Sequence, residues 1–270
     1  MGFVTVERHA GAAVVTYANP PFGTMTAAGA QEMLDLMGPL AGDPGVRSIV
    51  ITGGVPGVFI RHYDVGELST MSERLAEAPP PPPAPKDDSG PPGRPTTGFL
   101  ALCDLIAEAP KPVVAAINGL CMGGGFELTL ACDIRVASPG VEAIGLPETR
   151  VGIFPGGGGT QRLPRVVGEA RALEIILRGL TFGGEEAHRI GLVHELAKDP
   201  LERALQLAAE WDARGAEGIA YAKRLTRAAL DRPLDAGLAD ERASFLAVMQ
   251  TASARDGLRA GRQPARIQEI

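Results

Sequence analysis

Between Asn118 and Asp133 the chain carries a single charged side chain, Glu127. The stretch reads NGLCMGGGFELTLACD, after the β-branched run PVVAAI and before IRVAS. This order predicts a strand, a glycine-rich turn, a short helix and a second strand. Three successive glycines allow unusual dihedrals and let a ligand approach the backbone. The helix start that follows leaves N–H groups unpaired and carries partial positive charge. Together they suit a developing anion. An isolated Glu in an apolar stretch needs a reason, because a buried charge is costly. A carboxylate favoured by the helix dipole is one reason, and a catalytic group is another.

The rest of the chain fits an α/β body with a helical C-terminal region. FVTVER and AAVVTYA read as two strands joined at His9-Ala10-Gly11. Residues 26–40 have helical spacing with Thr26 as N-cap. Val46 to Thr52 reads as a buried strand, and helical character starts near Asp64. From Pro79 to Pro95 nine residues are proline. Such a segment cannot enter a helix or a sheet interior. It is expected to be an extended surface loop, either an inert insertion or a flap near a site. Gly98 to Glu108 and Gly168 to Arg178 read as helices, and nearly everything after Leu201 has helical spacing. A strand-strand-helix unit is expected near 3–40 and again near 112–178.

A second glycine tract stands in IGLPETRVGIFPGGGGTQRL, residues 144–163. Glu148 follows Pro147, which fixes the local backbone. Two carboxylates thus each stand beside a glycine-rich turn. Such a pair suits proton transfer and water activation; a surface loop Glu is the ordinary alternative. Other motif chemistries lack support. The sequence has no Gly-Lys dipeptide for a phosphate-cradling loop, no GxGxxG before a helix and no GxSxG elbow.

The two stretches MGGGFELTLACDIRVAS and LPETRVGIFPGGGGTQRLPRVVG resemble the crotonase superfamily of enoyl-CoA hydratases and isomerases. The resemblance runs from the N-terminal strands to about residue 260. The family's loop of the form F-x-x-G-A-D is matched only in part by FIRHYDV, residues 59–65.

The resemblance implies a spiral of repeated ββα units, over residues 1–198. A helical region, 199–270, would serve trimer or hexamer formation. It implies a thioester carbonyl held between the N–H groups of Tyr63 and Gly124, with Glu127 and Glu148 as catalytic carboxylates. Substrate and coenzyme A contacts are expected at Arg61, His62, Asp64, Gly123, Pro147 and Gly156, the last matching a glycine that helps hold the catalytic water. The implied reaction is addition of water to C3 of a trans-2-enoyl-CoA thioester, or its reverse. Coenzyme A arrives with the substrate, so no separate cofactor and no metal is expected. Tyr63 stands where relatives carry a small residue, which predicts a reshaped acyl site. Gly66 stands where the family often has a Lys. Double-bond isomerisation, another crotonase-type reaction and a non-catalytic acyl-CoA binder are the other readings.

The net charge of −6 and the lack of a basic run argue against nucleic acid as a partner. Cys103, Cys121 and Cys132 form no CxxC pair and are expected to be buried free thiols. The N-terminus does not read as a signal peptide and no long apolar run predicts a membrane span, so the expected compartment is the cytoplasm.

Overall fold

The computed structural model describes residues 2–79 and 98–261. The expected proline loop lies outside the described residues except for Pro79, as do residues 262–270.

The chain opens with β1 (Val4–His9) and β2 (Ala12–Tyr17), an antiparallel hairpin that pairs Val4 with Tyr17. The positive φ at its turn falls on Ala10, not on the glycine beside it. Helix α1 (Ala27–Gly42) starts where Thr26 accepts the Gly29 N–H at 3.0 Å. It buries Met33, Met37 and Leu40, the i, i+4, i+7 stripe that the sequence predicts. Strand β3 (Ser48–Gly53) runs parallel to β2. It is buried along almost its whole length, the signature of a central parallel strand covered on both faces.

From β3 onward the chain winds as a spiral. The large sheet has the order β1-β2-β3-β5-β7-β10, with β5 (Val113–Ile117), β7 (Ile134–Ala137) and β10 (Glu195–Leu196). A small sheet has the order β4-β6-β8-β9, with β4 (Val58–Ile60), β6 (Leu120–Met122), β8 (Ile144–Gly145) and β9 (Thr181–Phe182). Each turn lays one strand in the large sheet, one in the small sheet and then a helix. The units are β3-β4-α2 (Val65–Ala76), β5-β6-α4 (Gly124–Ala131), and β7-β8 followed by a 3₁₀ turn (Glu148–Val151) and α5 (Gly159–Val167). The expected unit at 112–178 is therefore two units. The one at 3–40 is a hairpin within the large sheet followed by α1, and it opens the spiral.

Helix α3 (Gly98–Glu108) packs on α1 and α4, while α6 (Glu169–Arg178) and α7 (Gly184–Arg189) follow α5. Helix α8 (Pro200–Asp212) covers the second face of the large sheet. Its Ala204 and Leu207 pack against Val14, Val50, Val114 and Val136. The tail continues as α9 (Ala216–Ala228), α10 (Leu234–Met249) and α11 (Ala252–Gly261). Helix α9 has no fully buried residue. Charge fastens it: Asp133 accepts Arg227 Nη2 at 2.7 Å and Lys223 Nζ at 2.8 Å, beside its bond from the Val113 N–H.

Lys111 is 8% exposed and lies under the C-terminus of α1. Its ammonium donates to Leu40 O, Asp43 O and Val46 O at 2.7–2.9 Å. Leu40 O also accepts the Asp43 N–H at 3.4 Å and Asp43 O the Val46 N–H at 3.1 Å, whereas Val46 O has no other donor among the described residues, and burial lowers the lysine pKa. Lys111→Met keeps the stem, removes a charged donor from all three carbonyls and strands Val46 O. We expect a loss of about 2–4 kcal/mol, read as a lower urea midpoint with an unchanged slope.

Candidate active site

The site forms where three successive turns of the spiral meet. The loop after β4 is pinned from two sides. On one side, the Arg61 N–H donates to Gly23 O (2.9 Å), the Met25 N–H to His62 O (2.8 Å) and the Asp64 N–H to Met25 O (2.7 Å). On the other, the Met122 N–H donates to Arg61 O at 3.0 Å. Met25 bridges Tyr63 in parallel fashion, so it bonds the residues on either side and leaves the Tyr63 N–H without an acceptor among the described residues.

The start of α4 lies against this loop. Gly123 has φ +51°, a conformation only glycine adopts readily, and its N–H is held by Gly145 O at 2.9 Å. The Gly124 N–H opens the helix and has no intrahelical partner. A Cβ placed on Gly124 would sit 3.4 Å from Tyr63 N. Two free N–H groups therefore adjoin, an arrangement suited to negative charge growing on an oxygen.

Glu127, in the first turn of α4, is 4% exposed. One oxygen, Oε1, accepts both the Gly157 N–H (2.7 Å) and the Gly159 N–H (2.8 Å). The other accepts no hydrogen bond among the described residues. Burial raises its pKa, against the two glycine N–H bonds and the positive charge of Arg162. Glu148 begins the 3₁₀ turn after Pro147. Both its oxygens are buried and neither has a hydrogen-bond partner among the described residues. A Cβ on Gly123 would sit 3.3 Å from Glu148 Oε1, which places this carboxyl beside the same turn. Burial is the first cause that lifts its pKa to about 7, and the charge of Glu127 adds to it. The two carboxyls thus differ: one is tethered by main-chain donors, the other is bare and titrates near neutrality.

The remaining expected residues are spread around this pair. The Tyr63 ring turns away from the N–H and packs edge-on against Phe99, centroids 5.7 Å apart. Its phenol is pushed up to about 12, first by burial. His62 Nδ1 donates to Tyr63 O at 2.7 Å. Asp64 caps α2, accepting the Glu67 N–H and the Thr24 hydroxyl. The Arg61 guanidinium has no hydrogen-bond or ion-pair partner among the described residues. Gly156 is exposed, whereas its neighbours Gly157 and Gly159 are buried and hold Glu127. Sequence reasoning marked this glycine tract but not those two positions, nor Phe99, Asp104 and Arg162. Four identical residues in a row give no internal sign of which N–H points inward.

The bare carboxyl has a measurable cost. Below the ordinary Glu pKa of 4.5 both folded and unfolded chains hold the proton. Above it the unfolded chain releases the proton, while the folded chain keeps it until about pH 7. Stability from this group is therefore lost as pH rises through that window, by roughly 3 kcal/mol at most. Glu148→Gln removes the penalty. The variant should melt several degrees above the parent at pH 8 and alongside it at pH 4.

The enoyl-CoA hydratase/isomerase family profile matches residues 85–265. A methylglutaconyl-CoA hydratase of Rattus norvegicus is 36% identical over 225 residues, 81% of this chain and 66% of that protein. The match spans 61% of the human protein of that name, so the chain covers just under two thirds of the length of these relatives. A probable enoyl-CoA hydratase of Bacillus subtilis is 33% identical over 256 residues, covering 92% of this chain and 91% of its own. Among solved structures, an enoyl-CoA hydratase from Bacillus anthracis superposes with a TM-score of 0.83 at 27% identity, covering 96% of this chain and 95% of that one.

Proposed function

The chain belongs to the enoyl-CoA hydratase/isomerase family, and on that premise we propose that it hydrates a trans-2-enoyl-CoA thioester, or runs the reverse dehydration, with Glu127 and Glu148 as catalytic groups. One observation carries the reading. Two buried carboxyls of unlike environment flank a pair of unpaired main-chain N–H groups.

The thioester oxygen lies in an oxyanion hole formed by the Tyr63 and Gly124 N–H groups. Water held on the free oxygen of Glu127 adds to C3, and its proton passes to that carboxylate. The C2–C3 π electrons move toward the carbonyl, whose oxygen takes up negative charge. Collapse of this enolate draws a proton from Glu148 to C2. Atoms balance: hydroxyl on C3, hydrogen on C2, and one proton exchanged at each carboxyl. A carboxyl near pKa 7 is half protonated at neutral pH, so Glu148 can give and take a proton at little cost. Glu127 is suited to the other task by geometry: burial raises its pKa, the two N–H bonds and the Arg162 charge oppose that rise, and the oxygen they leave free can hold the water.

Arg61, whose head is unpaired, is the candidate contact for a coenzyme A phosphate. The exposed apolar groups of the tail support self-association, as a trimer or hexamer. Leu230 is 73%, Leu234 77% and Leu246 66% exposed, more apolar surface than a monomer's helix pair would leave open.

The test is a panel of trans-2-enoyl-CoA thioesters, short, long, branched and aromatic, followed by loss of the conjugated double bond. We expect turnover with one substrate class. Glu127→Gln and Glu148→Gln should each lower kcat by about 10²–10⁴-fold. If both variants keep the parent rate, the assignment fails. If none of the panel reacts while 3-enoyl thioesters are converted to 2-enoyl ones, the chain is an isomerase. Tyr63→Ala should keep the oxyanion donor but shift acyl preference; an unchanged preference would remove Tyr63 from the acyl wall.

A further inference from the structure

Glu127 is held by a turn, and the turn is itself held. Arg162, on the first turns of α5, donates Nη1 to Gly157 O at 3.0 Å and Nη2 to Asp104 Oδ1 at 3.1 Å. Asp104 lies on α3, so the guanidinium joins α3 to the glycine turn. The peptide that Arg162 grips from its carbonyl side is the one next to Gly158, at φ +106°. The N–H of Gly157 faces Glu127 from the other end of the same residue. The room for error is small. A Cβ at Gly157 would stand 2.7 Å from Glu127 Oε2 and 2.5 Å from Phe99 Cε1.

We propose that Arg162 is a positioning residue, which fixes the Gly157–Gly159 turn so that one oxygen of Glu127 is tethered and the other is left free for water. This rests on the hydratase reading for its catalytic consequence. Its structural content, a turn whose N–H groups track a guanidinium, stands apart from any substrate.

A mere brace would be replaceable by any well-packed side chain. Arg162 also brings charge, and a cation is expected to favour the ionised form of Glu127. The other titratable or charged groups around that carboxyl are few. Glu148 comes from the 3₁₀ turn, His62 and Tyr63 from the loop, and Asp104 and the buried thiol of Cys103 from α3. Strand β4 brings none, and β6 brings only the buried Cys121. Arg162 is the cation of this set that the turn holds in place.

The experiment compares parent, Arg162→Lys, Arg162→Met and Asp104→Asn in two ways. Glutamate carboxyl ¹³C titration and amide hydrogen exchange need no substrate. In Arg162→Met the Glu127 midpoint should move up, and the Gly157 and Gly159 amides should exchange at least about tenfold faster. Arg162→Lys keeps the charge and should hold the midpoint while loosening the turn. Hydration kinetics then give the split: kcat down tenfold or more in Arg162→Met with KM within about twofold, and partial recovery with Lys. Should Arg162→Met not fold, Asp104→Asn, which leaves Arg162 in place, should still speed exchange at both glycines and lower kcat with KM held. An unmoved Glu127 midpoint and unchanged glycine exchange in the Arg162 and Asp104 variants overturn the proposal. Absence of hydration in the parent defeats the hydratase reading alone, since the titration and exchange arms still decide the role of Arg162.

Discussion

One carboxylate oxygen, Glu127 Oε1, accepts two glycine N–H groups from a turn that lies thirty residues further along the chain. That pair of bonds joins the helix of one spiral repeat to the helix start of the next. Without it the buried carboxylate of Glu127 would lose its direct hydrogen-bond donors, and the glycine turn would lose its bond to the preceding repeat. The two elements therefore specify each other. The remaining parts of the site are placed by reference to them. Gly124 begins the helix that carries Glu127, and Glu148 stands beside the turn that opens that helix.

The small sheet explains how two distant repeats come so close. Its strands are two or three residues long. They are too short to show alternation, so they leave no mark in the sequence. Yet they set the register. Cys121 pairs with Ile144 and Met122 with Gly145, which brings the start of α4 alongside the approach to Glu148. The larger elements were legible because their residues carry the pattern. Thr26 caps α1 and α3 spans Gly98 to Glu108, as the cap residue and the spacing predict, and α2 starts just after Asp64, where helical character is expected.

The site was legible in identity and less so in detail. Glu127 stood out because it is alone among apolar neighbours, and Glu148 because Pro147 and a glycine tract bracket it. The partner glycines were hidden by repetition, and Arg162 by its ordinary setting among the polar residues of an amphipathic helix. Asp64 shows the converse. It sits in the loop that resembles a family motif, and its two carboxylate oxygens accept the Glu67 N–H at the start of α2 and the hydroxyl of Thr24, forty residues earlier.

The loop at Tyr63 separates two things that most side-chain sites combine. Its N–H is oriented by bonds that Met25 makes to the residues before and after it, and none of these involves the Tyr63 side chain. Every residue except proline offers the same N–H. Position 63 is thus open to evolutionary drift: its ring can be exchanged to remodel the neighbouring wall at Phe99 while the main-chain donor keeps its place. A lineage built on this scaffold can reshape that wall without disturbing the main-chain donor beside it.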